Sequence, residues 1–215
     1  MNSAKDQIKG LYAIADSAFC PDGSLPALVR GFLDGGCKTV QLRMKGTDEV
    51  ACSRMAMQNA VEIMKLKSGY DFTFIVNDHV DVALETGADG VHVGEFDEPV
   101  RSIKERAPGL VVGYSSHSID EARRAAAAGA DYVAFGAIYP TRTKGPGHPV
   151  QGIGRLRELV QSVRVPVVAI GGIGRANIDE ALSTGVRSVA MISAISQAPD
   201  VTAETAWFVK RMKDL

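Results

Sequence analysis

Thr141, Arg142, Thr143 and Lys144 set two hydroxyls and two cations side by side, between Pro140 and a closing Gly145-Pro146-Gly147. Backbone and hydroxyl donors around cations are what a polyphosphate needs, and such a loop could fold over its ligand. Taken in isolation, TRTK reads rather as a solvated basic loop, so it has to be weighed with the other chemistry-bearing groups. Gln41, Arg43 and Lys45 alternate with Leu42 and Met44, which in a strand puts the three polar side chains on one face. Cations on an inward face need anionic partners, either a ligand or an internal carboxylate such as Asp16 or Asp78. Asn77-Asp78-His79 and Gly94-Glu95-Phe96-Asp97 each follow a short apolar run. If those runs are neighbours, Asp78 and Asp97 meet at one rim. Two carboxylates beside cations suit Mg²⁺, which takes one or two carboxylates and completes its shell with water and phosphate oxygens. Asp78 could instead be the N-cap of the helix that follows it.

Further along, Gly113-Tyr114-Ser115-Ser116-His117-Ser118 opens a helix, with Ser118 or Ser116 as cap and Asp120-Glu121 favouring the positive helix end. Ser115 and His117 are then free to face a ligand, His117 as acid/base, as hydrogen-bond donor or in a structural hydrogen bond. His92 lies inside an apolar run and reads as an interior residue, whereas His148 reads as an exposed loop residue. Gly171-Gly172-Ile173-Gly174 and Ile192-Ser193-Ala194 follow the last two apolar runs. Glycines there let backbone N–H groups approach a phosphate, and Ser193 adds a hydroxyl.

These groups gain meaning from the elements that carry them. Short β-type runs at Leu11–Ala15, Thr39–Arg43, Phe74–Asn77, Gly90–Val93, Val111–Ser115, Tyr132–Phe135, Val167–Ile170 and Ser188–Ile192 alternate with amphipathic segments. The predicted helices cover Leu25–Leu33, Asp48–Lys67, Val80–Thr86, Val100–Arg106, Ile119–Ala128, Ile153–Val163, Ile178–Ser183 and Ala203–Lys213. Alternation of this kind implies a parallel sheet with right-handed crossovers. A weak repeat supports it: LDGGCKTVQL, ETGADGVHVG, AAGADYVAFG and LSTGVRSVAM each run from a helix end through glycine into an apolar strand. Gly36, Gly87, Gly129 and Gly185 are placed to end helices in the left-handed conformation. Eight units with no linker or composition break predict one α/β domain over 1–215, a (β/α)8 TIM barrel, in which chemistry sits at the carboxyl ends of the strands. An open doubly wound sheet is the structural alternative, but no G-x-G-x-x-G follows the first strand.

Composition narrows the function classes. Hydrophobic residues make up 46% and charged residues 23%, ordinary for a globular protein with a sizeable core. A net charge of −1 gives no bulk attraction to nucleic acid or to an anionic membrane, so an anion site must be built locally. Cys20, Cys37 and Cys52 fit no zinc or disulfide spacing, as expected of reduced thiols in a cytoplasmic protein. No apolar run approaches membrane-spanning length. Two separated anion sites on one barrel mouth point to two phosphorylated small molecules, one of them metal-bound. The sequence leaves open whether the chain forms a homo-oligomer.

QLRMK, FIVNDHVDVALETGADGVHVG, GYSSHS, ADYVAFGAIYPTRTK, VPVVAIGGI and MISAIS, in this order over about residues 11–196, resemble the thiamine-phosphate synthase family. The resemblance implies a (β/α)8 transferase that joins a hydroxymethylpyrimidine pyrophosphate to a thiazole phosphate, releasing pyrophosphate with the help of Mg²⁺. It further implies that Gln41, Arg43 and Lys45 hold the pyrophosphate or pyrimidine, that Asn77 binds the pyrophosphate, and that Asp78 and Asp97 ligate the metal. Ser115 would contact the pyrimidine side. Thr141, Thr143 and Lys144 would hold the thiazole phosphate and pyrophosphate, and Gly172, Ile192 and Ser193 would cradle the thiazole phosphate. Lys144, Arg43 and Ser115 are the residues expected to be catalytic. Glu95 departs from the pattern, standing where the family often has Gln. The related thiazole tautomerase, with His117 as acid/base, and a non-catalytic sensor of phosphorylated ligands are the alternatives.

Overall fold

Each apolar run forms a strand because its residues are buried on both faces, as parallel strands covered by helices must be. The computed structural model describes residues 8–20, 23–141 and 149–213. The strands are β1 (Gly10–Asp16), β2 (Thr39–Arg43), β3 (Thr73–Asn77), β4 (Gly90–Val93), β5 (Val111–Ser116), β6 (Tyr132–Gly136), β7 (Val167–Ile170) and β8 (Ser188–Met191). Each pairs in parallel with the next, and β8 returns to β1, so the sheet closes as a (β/α)8 barrel and an open sheet is ruled out.

The alternation of side chains sorts the core into two shells. Leu42, Phe74, Val76, Val133 and Phe135 point outward into the large cluster beneath the helices. Tyr12, Ile14, Ile75, Tyr132, Val168 and Ala190 point inward and fill the barrel. Gly113 belongs to this inner packing: it pairs with Tyr132 across β5 and β6, and a Cβ there would overlap the Tyr132 ring.

Around the sheet run α1 (Leu25–Asp34), α2 (Glu49–Lys65), α3 (Val80–Thr86), α4 (Val100–Arg106), α5 (Ile119–Ala127), α6 (Gly152–Ser162), α7 (Ile178–Leu182), α8 (Ser193–Ser196) and α9 (Val201–Arg211). Local chemistry sets their starts: Ser24, Asp48, Ser118 and Asp200 accept hydrogen bonds from Ala27, Ala51, Glu121 and Ala203 N–H respectively. Gly36, Gly87, Gly129 and Gly185 all have positive φ, at +87°, +72°, +104° and +87°, as the repeat predicts. Helix bounds differ from those expected by no more than two residues: α2 ends at Lys65 rather than Lys67, and α9 runs from Val201 to Arg211 rather than from Ala203 to Lys213. In addition, α8 is a further one-turn helix directly after β8. Among the described residues, no helix is long and apolar enough to cross a membrane.

Candidate active site

The carboxyl ends of the strands surround a cavity of about 610 Å³. β2 contributes Gln41 and Arg43, with Lys45 just beyond it; β3 contributes Asn77, followed by Asp78; the loop after β4 adds Glu95 and Asp97; β5 adds Ser115, followed by His117. A smaller cavity of about 80 Å³ adjoins it. Thr141, Gly172 and Ser193 line the smaller one, and Ile170, Ala190 and Ile192 line both. All the described residues singled out from the sequence therefore gather at one mouth. Thr143 and Lys144, with Arg142 and His148, lie outside the described residues. At the opposite end of the barrel Lys9, Arg164 and Arg187 line another opening of about 620 Å³, but its one carboxylate, Asp131, is already paired with Lys104.

Inward-facing cations have internal partners here. Arg43 pairs with Asp16, a carboxylate with no exposed surface, and Lys45 Nζ lies 2.5 Å from Asp78 Oδ2. Both internal pairings that the sequence allows are thus realised, and both cations still line the cavity.

Asp78 is not a helix cap. The cap position of α3 is His79, whose side chain makes no capping bond. Asp78 sits in the left-handed region at φ +61°, uncommon for any residue but glycine and least so for Asn and Asp. Its carboxylate turns instead toward Lys45 and Asp97. Burial holds its pKa above the usual carboxylate value; Lys45 opposes that shift and Asp97 adds to it. Asp97 is held in turn by the Gly94 N–H, which donates to its Oδ2 at 2.7 Å.

Two carboxylates this close, one disfavoured as an anion, form a site that a divalent cation would relieve. Asn77 supplies a second sign of a missing partner, since its Nδ2 is buried at the cavity wall with no hydrogen-bond acceptor among the described residues. No group of three or more His, Cys, Asp or Glu side chains suited to a metal occurs among the described residues. Asp78 and Asp97 by themselves are two oxygen donors, the kind of sparse set Mg²⁺ takes when water and phosphate oxygens complete its shell.

Sequence reasoning missed what lies beneath Ser115. His92 Nε2 is 2.9 Å from Ser115 Oγ, and His92 Nδ1 is 3.0 Å from the Tyr132 hydroxyl. That hydroxyl is 2.7 Å from the Tyr12 hydroxyl, which accepts from Gln41 Nε2 at 3.0 Å. His92 is interior, as its place in a strand implies, but it is also a polar link between strands. The available signal was four polar side chains, Tyr12, Gln41, His92 and Tyr132, each at an inward position of its strand. His117 lies at the rim, with Nδ1 3.2 Å from the Gly136 carbonyl oxygen.

Comparison with known proteins follows the same lines. A family model described as thiamine monophosphate synthase matches residues 11–195. A thiamine-phosphate synthase of Pyrococcus horikoshii is 42% identical over 201 residues, covering 94% of this chain and 93% of that protein. One from Methanocella arvoryzae is 41% identical over 194 residues, covering 90% of each. The solved structure of a thiamine phosphate pyrophosphorylase from Pyrococcus furiosus superposes with a TM-score of 0.85 at 38% identity, covering 98% of this chain and 97% of that one. These relatives carry the name of the synthase and not that of the tautomerase.

Proposed function

The chain belongs to the thiamine monophosphate synthase family of transferases, and from that premise we propose how its barrel mouth makes thiamine phosphate from a pyrimidine diphosphate and a thiazole phosphate. The observation that carries the reading is the meeting of Asp78, Asp97 and Lys45 in one cavity that opens onto a second, glycine-lined one. Two adjoining spaces suit two ligands that must react with each other.

In this reading the diphosphate lies on the β2–β4 side. Asn77 Nδ2 donates to it, and Arg43 and Lys45 face it from the cavity wall. Asp78 and Asp97 hold Mg²⁺, which when bound neutralises charge on the diphosphate and makes it a better leaving group. Gln41 and Ser115 orient the pyrimidine ring, and His117 offers a hydrogen bond at the rim. The smaller cavity takes the thiazole phosphate, with backbone N–H groups near Gly172 and Ile192 and the hydroxyls of Ser193 and Thr141 as donors. Thr143 and Lys144 are assigned to the phosphates from their motif alone.

The reaction breaks the bond between the pyrimidine methylene carbon and the diphosphate oxygen, and the thiazole nitrogen bonds to that carbon. An electron-rich aminopyrimidine can stabilise the positive charge that develops, so no nucleophile or strong base from the protein is needed. What the chain supplies is alignment of the two rings and fixed positive charge near the departing diphosphate. Its substrates are therefore small phosphorylated molecules, and its metal is Mg²⁺.

The test mixes the protein with both substrates and Mg²⁺ and follows thiamine phosphate and pyrophosphate together. Equal appearance of both products, lost on chelation of the metal, is expected. Undiminished product in excess chelator would remove the metal from the reading, and binding of both ligands without product would leave a sensor rather than an enzyme.

A further inference from the structure

Gln41, Tyr12, Tyr132, His92 and Ser115 come from five strands and form one unbroken file of hydrogen bonds across the barrel floor, with links of 3.0, 2.7, 3.0 and 2.9 Å. Its first four members are buried, and its last lines the cavity. The donor inventory decides which way the protons point. Gln41 Nε2 can only donate, so Tyr12 Oη accepts from it. If Tyr12 passes its own proton to Tyr132, then Tyr132 passes its proton to His92 Nδ1. His92 then carries hydrogen on Nε2 and donates to Ser115 Oγ. In the opposite order Tyr12 accepts from both neighbours, and its own buried proton has no acceptor, because Tyr12 has no third partner among the described residues. A doubly protonated His92 leaves the same orphan. Leaving a buried donor unmade is the costlier arrangement.

We propose that this file is directional and fixes His92 as the neutral tautomer protonated at Nε2, so that Ser115 is left with its hydroxyl proton aimed into the cavity. Ser115 is then a donor, and it selects a ligand atom with a lone pair, such as a ring nitrogen, over one bearing hydrogen. His92 and Tyr132 are positioning residues that act through Ser115. Burial keeps both tyrosines well above their ordinary pKa, so they stay protonated and able to donate. A neutral file also suits a floor beneath a ring on which positive charge develops, since it brings no fixed cation of its own. The identity of the ligand atom rests on the function proposed above; the proton order does not.

The experiment is nitrogen NMR of the whole chain labelled with ¹⁵N-histidine, without ligand at pH 7, with a His92→Asn spectrum to assign the signal. The expected result is hydrogen on Nε2 and none on Nδ1. In Tyr132→Phe the donor to Nδ1 is gone, and the His92 signals should move toward a mixture of both tautomers. The same variant should raise KM for the pyrimidine diphosphate about tenfold, the scale of one hydrogen bond, and leave KM for the thiazole phosphate unchanged. Hydrogen on Nδ1 or on both nitrogens in the unaltered chain overturns the proposal, and so does a Tyr132→Phe spectrum identical to it. An Nε2-protonated His92 in a chain that makes no thiamine phosphate would uphold the proton order while overturning the function.

Discussion

Asp78 shows what a side chain gives up to serve a site. It stands next to a helix start, where an aspartate ordinarily caps, yet it leaves that position to His79 and adopts a left-handed backbone. Its pKa is raised chiefly by burial, against the opposing pull of Lys45. A carboxylate with a raised folded-state pKa favours the fold most at low pH, and that contribution is lost as pH rises through the raised value. Above that value, without metal, the ionised Asp78 therefore works against the fold. Asp78→Asn keeps the shape, tolerates the left-handed backbone and removes the charge. The variant should melt no lower than the parent protein, while turnover falls about 10²–10³-fold, the scale on which one preorganised charge acts (about 2.7–4 kcal/mol). Thermal unfolding and steady-state rates on the same preparation check both halves, and an active Asp78→Asn enzyme would strip Asp78 of its role. Sequence alone could place Asp78 at a strand end but could not choose between cap and ligand. That choice depends on a backbone angle and on Lys45, which reaches it from the loop after β2.

The strands act as a frame that carries side chains to the floor of the mouth, and one position tests that view without removing any polar group. Gly113 faces Tyr132 so closely that a Cβ would intersect the ring. Gly113→Ala should therefore push the Tyr132 hydroxyl off His92, at a cost of about 1–3 kcal/mol, as for other overpacked cores. Ser115 itself is untouched, so a rise in KM for the pyrimidine diphosphate alongside a lowered melting temperature is expected; a parental melting temperature would mean the overlap is relieved at no cost. Strands were legible in the sequence because they are short apolar runs between helical patterns, and β2, β4 and β7 have the bounds expected. The left-handed glycines were legible because each repeats at one place in a unit. α8 was not, since four residues, Ser193–Ser196, are too few to show helical periodicity. The interior file was not legible either. Inward polar positions can be read strand by strand, but which of them touch depends on the stagger that closes the barrel.

At the scale of the whole molecule, charge decides how an anion is bound. The chain carries a net charge of −1 and offers no long-range attraction to a diphosphate. The described cavity wall is no better: Asp78, Glu95 and Asp97 outnumber Arg43 and Lys45. Both cations are also engaged, Arg43 by Asp16 and Lys45 by Asp78. A diphosphate entering this mouth alone meets a wall of its own sign. A divalent cation held by Asp78 and Asp97 would reverse the balance and release Lys45 to face the ligand. Metal and diphosphate should therefore bind together, each strengthening the other by the same factor. Calorimetric titration of inorganic pyrophosphate should show binding at least about tenfold tighter with Mg²⁺ than with chelator, a coupling of about 1.4 kcal/mol. In Asp78→Asn, where one carboxylate charge is gone, the difference should shrink and metal-free binding should improve. Equal affinities with and without metal in the parent protein would mean that the cavity carries enough positive charge by itself, and that Arg43 and Lys45 leave their carboxylates without help.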